Sequence, residues 1–146
     1  MISVVKTTFV AMLFAITPLC SCISATPKFE VSDLLGEWTG KAPDGSTLKY
    51  IFHKDGSVIN FIDEAGFKAS YGPSGLQAKY VIREKSPKWE IDIYDYKDAR
   101  LKGIIFQGIL QPIEKGKFKM QGMPSTVGAR PSDFDDQAII FTKTAA

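Results

Sequence analysis

Cysteine is the first thing this chain runs short of. Both cysteines of the 146 residues, Cys20 and Cys22, fall in the opening segment, so nothing from Thr26 onward can form a disulfide. A domain there is held by its apolar core alone. Histidine is scarcer still. His53 is the one imidazole, which argues against a His-rich metal centre, and no thiol is left to help. Ser46, Ser57 and Ser70 supply hydroxyls, yet no spacing ties any of them to His53 as a triad. Charge of one sign is missing as well. The chain has 18 basic and 16 acidic side chains, and Lys6 is the one charge in the first 25 residues. The remainder is close to neutral, which gives no reason to expect nucleic acid or an anionic surface as partner. There is no P-loop or dinucleotide glycine pattern. No apolar run reaches the roughly 20 residues of a comfortable membrane span.

What is present begins with an address. Met1 to Ala25 has an early cation, Lys6, then an apolar run from Thr8 to Leu19, then small residues from Ser21 to Ala25. That is the layout of a bacterial export signal. Residues 26–146 are therefore expected to be exported, to the periplasm or cell envelope. Two processing routes fit the leader. One is cleavage after Ala25, which frees the domain. The other reads Leu19-Cys20-Ser21-Cys22 as a lipobox in which Cys22 takes the lipid. Membrane contact would then come only through that anchor.

From Thr26 on, about 120 residues suffice for one modest domain. Val31 to Leu35 reads as one helical turn capped by Ser32. After it come short alternating runs between turn residues, which is the all-β pattern. The runs are Glu37 to Lys41, Thr47 to His53, Ser57 to Asp63, Phe67 to Tyr71, Gln77 to Glu84, Trp89 to Tyr94, Lys102 to Leu110, Lys117 to Gln121 and Gln137 to Lys143. Trp89, Ile91 and Ile93 against Glu90, Asp92 and Tyr94 give the cleanest period of two. Pro112 ends or bulges its strand, because proline cannot donate to the ladder. Eight or nine strands joined by short turns pair as antiparallel neighbours. Eight can close into a small barrel, filled by side chains or holding one small ligand. An open sandwich is the other arrangement.

Leu35-Gly36-Glu37-Trp38 places a G-x-W after a helical turn at the first strand, which resembles the opening of lipocalins. Further pieces are Pro87-Lys88, Ile91-Asp92-Ile93, Gly108, Arg130-Pro131-Ser132-Asp133-Phe134 and a last apolar strand ending in Lys143. Together they resemble a small lipocalin-like domain of bacterial exported proteins of unknown function, abundant in planctomycetes. The resemblance implies an antiparallel lipocalin-like β-barrel over residues 26–146, with Trp38 as the plug of one end. It carries no assigned activity, and the lipocalin T-D-Y turn and disulfide are absent.

Candidate sites follow. Gly36, Trp38 and Arg130 form a structural barrel plug if the guanidinium closes the end over the indole. The other reading leaves Arg130 exposed as a partner anchor. Gly122 to Asp136 is long for so compact a chain, and such loops often bind. Its candidate contacts are Met123, Arg130 and Phe134, with Met120 equally suited to the core. The loop is expected to be more mobile than the strands unless something binds it. Asp92, Asp95 and Asp98, and again Asp133, Asp135 and Asp136, offer oxygen ligands of the kind calcium takes, but neither group has EF-hand spacing, and such clusters commonly just solvate loops. No catalytic residue, metal or cofactor is expected. The expected function is a non-catalytic binding or structural module of the envelope, taking a small apolar ligand or a protein partner. An inhibitor or immunity-type protein is the alternative.

Overall fold

The computed structural model describes residues 28–63 and 71–144. The leader, with Cys20 and Cys22, lies outside the described residues, as does most of the expected strand Phe67 to Tyr71. A 3₁₀ turn, Val31–Leu34, leads into eight strands. They are β1 Gly36–Lys41, β2 Thr47–Phe52, β3 Ser57–Ile62, β4 Leu76–Arg83, β5 Trp89–Tyr94, β6 Phe106–Glu114, β7 Lys117–Pro124 and β8 Ile139–Lys143. Each pairs antiparallel with its neighbour in sequence, and β8 pairs back onto β1, so the sheet is a closed barrel and not a sandwich. Closure leaves no strand edge among them to be protected.

Local chemistry sets the turns. Asp44-Gly45-Ser46 and Asp55-Gly56-Ser57 repeat one device. In each, the aspartate Oδ1 accepts both the backbone N–H (2.9 Å) and the hydroxyl (2.6 Å) of the serine two residues on. These bonds hold both carboxyls below their ordinary pKa, the serine hydroxyl contributing most. The 3₁₀ turn is capped by Glu30 rather than Ser32: the Asp33 carboxylate reaches back to accept the Glu30 N–H at 2.8 Å. The sixth strand starts four residues later than its hydropathy suggests and continues through Pro112, where the register with β7 shifts between Pro112 and Glu114. Pro112 therefore marks a bulge and not an end.

Alternation along the strands points one face inward. Trp38, Tyr50, Phe52, Val58, Ala78, Ile91, Ile93, Leu110, Phe118, Met120 and Phe141 form a single buried cluster. A chain of six rings runs through it. Trp38 meets Phe118 at 4.6 Å, Phe118 stacks on Phe141 at 5.2 Å, and Phe141 meets Tyr50 at 5.4 Å. Tyr50 stacks on Phe52 at 5.7 Å, which meets Tyr80 edge-on at 5.0 Å. Rings of this size in edge and offset contact pack the inner face of these strands as a core. Met120 belongs to that core. Burial raises the Tyr50 hydroxyl above its usual pKa and pushes Tyr96 up to about 12.

Candidate functional site

The Trp38 end of the barrel is shut from within. Trp38 is fully buried, and its indole N–H donates to the Leu34 carbonyl at 2.6 Å, tying the 3₁₀ turn across the opening. Gly36 holds φ +108°, a conformation that side chains resist, so the chain can swing from that turn into β1. The cation above the indole is Lys143. Its ammonium lies 5.3 Å from the ring centroid and donates to the Asp33 carbonyl at 2.9 Å.

Arg130 does not stack on Trp38. It lies on the outer wall of the barrel, against β5 and β6. Its Nη1 donates to the carbonyls of Ile91 (3.0 Å) and Gly108 (2.6 Å), a pair in register across the two strands. Its Nη2 donates to Asp92 Oδ1 at 2.5 Å. Asp92 Oδ2 accepts from Arg83 at 2.6 Å, and Glu90 is shared between Arg83 at 2.9 Å and Lys85 at 2.5 Å. Two carboxylates thus sit among three cations. The Lys85 and Arg83 hydrogen bonds hold Glu90 down to a pKa of about 2.

The rest of the long connection follows Arg130 onto the wall. Lys88 donates to the Ser132 carbonyl at 2.8 Å and lies 3.1 Å from the Asp133 carboxylate. Gln121, buried on β7, accepts the Asp135 N–H at 2.9 Å. Phe134 lies under the Lys119 ammonium at 5.3 Å. Gly128 crosses Met123 so closely that an added Cβ would fall 2.7 Å from its sulfur. Met123, Arg130 and Phe134 are therefore half-buried contacts of a strap, not side chains of a free loop. Arg130 is no exposed anchor either, since its guanidinium is already committed. The pieces Lys88, Asp92, Gly108, Arg130, Ser132 and Asp133, scattered in sequence, meet here.

The other candidates disperse. His53 is exposed at the end of β2, and its backbone carbonyl accepts the Tyr80 hydroxyl at 3.0 Å. Asp95 pairs with Lys79 at 2.8 Å and Asp98 with Arg100 at 2.5 Å. Among the described residues no group of three His, Cys, Asp or Glu is placed to hold a metal ion.

One concavity was not foreseen. An open cleft of about 970 Å³ lies over the Trp38 end, between the start of the described chain and the β4–β5 and β6–β7 turns. Phe29, Pro87, Trp89, Pro112 and Ile113 supply its apolar lining. Phe29 meets Trp89 edge-on, with centroids 5.5 Å apart. Lys28, Lys85, Lys115 and Lys143 stand with Asp33, Glu84 and Glu114 around them. Trp89 as the first inward residue of its strand was the sequence signal available.

The class these features define is a closed eight-stranded antiparallel barrel with an aromatic core, strapped on one flank. No family model and no curated protein matches the sequence. Among solved structures, the Treponema pallidum protein Tp0751 (pallilysin) is similar, with a TM-score of 0.48 and 9% identity. The alignment covers 79% of this chain and 84% of that one.

Proposed function

We infer that this chain is a non-catalytic binding module of the cell envelope, lipocalin-like in build, which binds outside its barrel rather than within it. The observation that supports the reading is the chain of six packed rings inside the barrel, which gives its interior to side chains. The cleft beside Trp89 is then the concave apolar surface open to a ligand, and its size falls within the roughly 300–1,000 Å³ of small-molecule sites. The titratable groups support a binder. The aspartates of the first cluster are each held by a cation. Export rests on the leader, and anchoring on acylation of Cys22.

A protein-binding inhibitor or immunity-type role is the second reading. It is favoured by Ile113, 48% exposed at the cleft, and by Trp89 within it, since aromatic and apolar anchors ringed by polar groups typify protein interfaces.

Native mass spectrometry of the purified full chain, incubated with an envelope extract, tests the inference. The reading expects a small molecule held non-covalently and released chemically unchanged. Release of a converted molecule, with conversion abolished in His53→Ala, would establish an enzyme instead.

A further inference from the structure

We propose that the cleft beside Trp89 takes a single-chain amphiphile with an anionic head, its tail against Phe29, Trp89 and Ile113 and its head among Lys28, Lys115 and Lys143. This deepens the binding-module reading and rests on it. The site lies outside the end that Trp38 closes, so the ligand does not enter the barrel.

Charge selects the head. Of the four cleft lysines, Lys85 is neutralised by Glu90 at 2.5 Å. Lys143 is bonded to a backbone carbonyl and not to a carboxylate. Lys28 and Lys115 have no ion pair or hydrogen bond among the described residues. Of the three carboxylates, Glu114 is neutralised by Lys117 at 2.6 Å, whereas Asp33 accepts only the neutral Glu30 N–H and keeps its charge. Three ammonium groups without a counter-anion, Lys28, Lys115 and Lys143, therefore face two carboxylates that keep their charge, Asp33 and Glu84, an excess of one positive charge. An anion is the ligand charge that leaves the fewest of them unmatched.

The apolar lining selects the tail. Half-exposed Ile113 and partly buried Phe29 are apolar surface in contact with water, and the largely buried Trp89 ring backs them edge-on to Phe29. Covering it with methylenes is favourable by about 25 cal/mol per Å². A carboxylate and a phosphate are both suited to the lysines, and a fatty acid and a lysophospholipid are two sources of such a molecule.

The test titrates the full chain with dodecanoate, dodecyl phosphate and dodecyl maltoside, each below its micelle concentration, and reads tryptophan fluorescence. The two anionic probes should bind at least tenfold more tightly than the neutral one. The stronger of the two tells the carboxylate source from the phosphate source. In Lys28→Ala/Lys115→Ala, which alters exposed side chains only, the anionic probes should lose that advantage while dodecyl maltoside is unaffected. Equal affinity for all three heads, or anionic binding unchanged in the double variant, overturns the proposal. If no dodecyl probe binds while an envelope extract still yields a ligand, this inference fails and the binding-module reading stands.

Discussion

Arg130 reaches back 38 residues to put its Nη2 2.5 Å from Asp92 Oδ1. The same guanidinium caps two carbonyls of the β5–β6 pair. Both ion-pair partners are mostly shielded from water, with side chains 19% and 16% exposed. A strap otherwise rich in Gly, Pro and Ser, costly to order, is thereby fastened to the barrel wall.

Removing that fastening has a measurable cost. Hydrogen bonds to charged groups contribute about 1.5–3 kcal/mol each, and they do not add in full. Arg130→Met should therefore destabilise the domain by roughly 2–4 kcal/mol, a fall in Tm of roughly 10 °C. Arg130→Lys should recover less than half, because an ammonium cannot match the planar fork that serves three acceptors. Thermal unfolding of the two variants decides this. A loss under about 2 °C in Arg130→Met would show the clamp to be ornamental.

Glu90 gives the wall a pH signature. Its carboxyl is depressed from 4.5 to about 2 by hydrogen bonds from Lys85 and Arg83. A depressed carboxyl contributes stability that is fully present above its unfolded pKa and lost as pH falls through its folded one. The stability advantage of wild type over Glu90→Gln should thus hold above about pH 4.5 and shrink between there and about pH 2. Urea unfolding across that window measures it. An advantage constant with pH would show that the charge of Glu90 contributes nothing.

The plug separates ring from hydrogen bond. Trp38→Ala empties a fully buried site and should cost roughly 3–5 kcal/mol. Trp38→Phe keeps a ring against Phe118 but leaves the Leu34 carbonyl without its donor, at a cost of about 1–3 kcal/mol. If Trp38→Ala melts within a degree or two of wild type, the plug assignment is wrong.

These residues also mark where the sequence was legible. Period-two alternation in Trp89 to Tyr94 and the paired Asp-Gly-Ser turns are local, so strand positions and hairpins could be read directly. The G-x-W at Gly36 and Trp38 fell where the chain crosses the barrel end. Arg130 was assigned to the wrong partner for a physical reason. A cation near an indole is attractive in any sequence, but which cation arrives depends on closure. β8 runs beside β1, so its terminal Lys143 reaches Trp38, while Arg130 precedes β8 on the opposite course around the outside. The cleft was illegible for the same reason. Phe29, Trp89 and Ile113 are remote in sequence and meet only because the N-terminal turn and two hairpins share one end of the barrel.

The central claim is that the barrel is a packed core, with binding left to its outside. Xenon tests this most directly, because it enters empty apolar cavities and not filled ones. Methyl NMR of the protein under xenon pressure should show no saturable shift at the inward methyls of Ile91, Ile93, Leu110 and Met120. A Phe118→Ala variant, which removes one ring from the chain, should show such shifts if it folds. Saturable shifts at those four residues in the wild-type protein would reveal a hollow lumen and contradict the account.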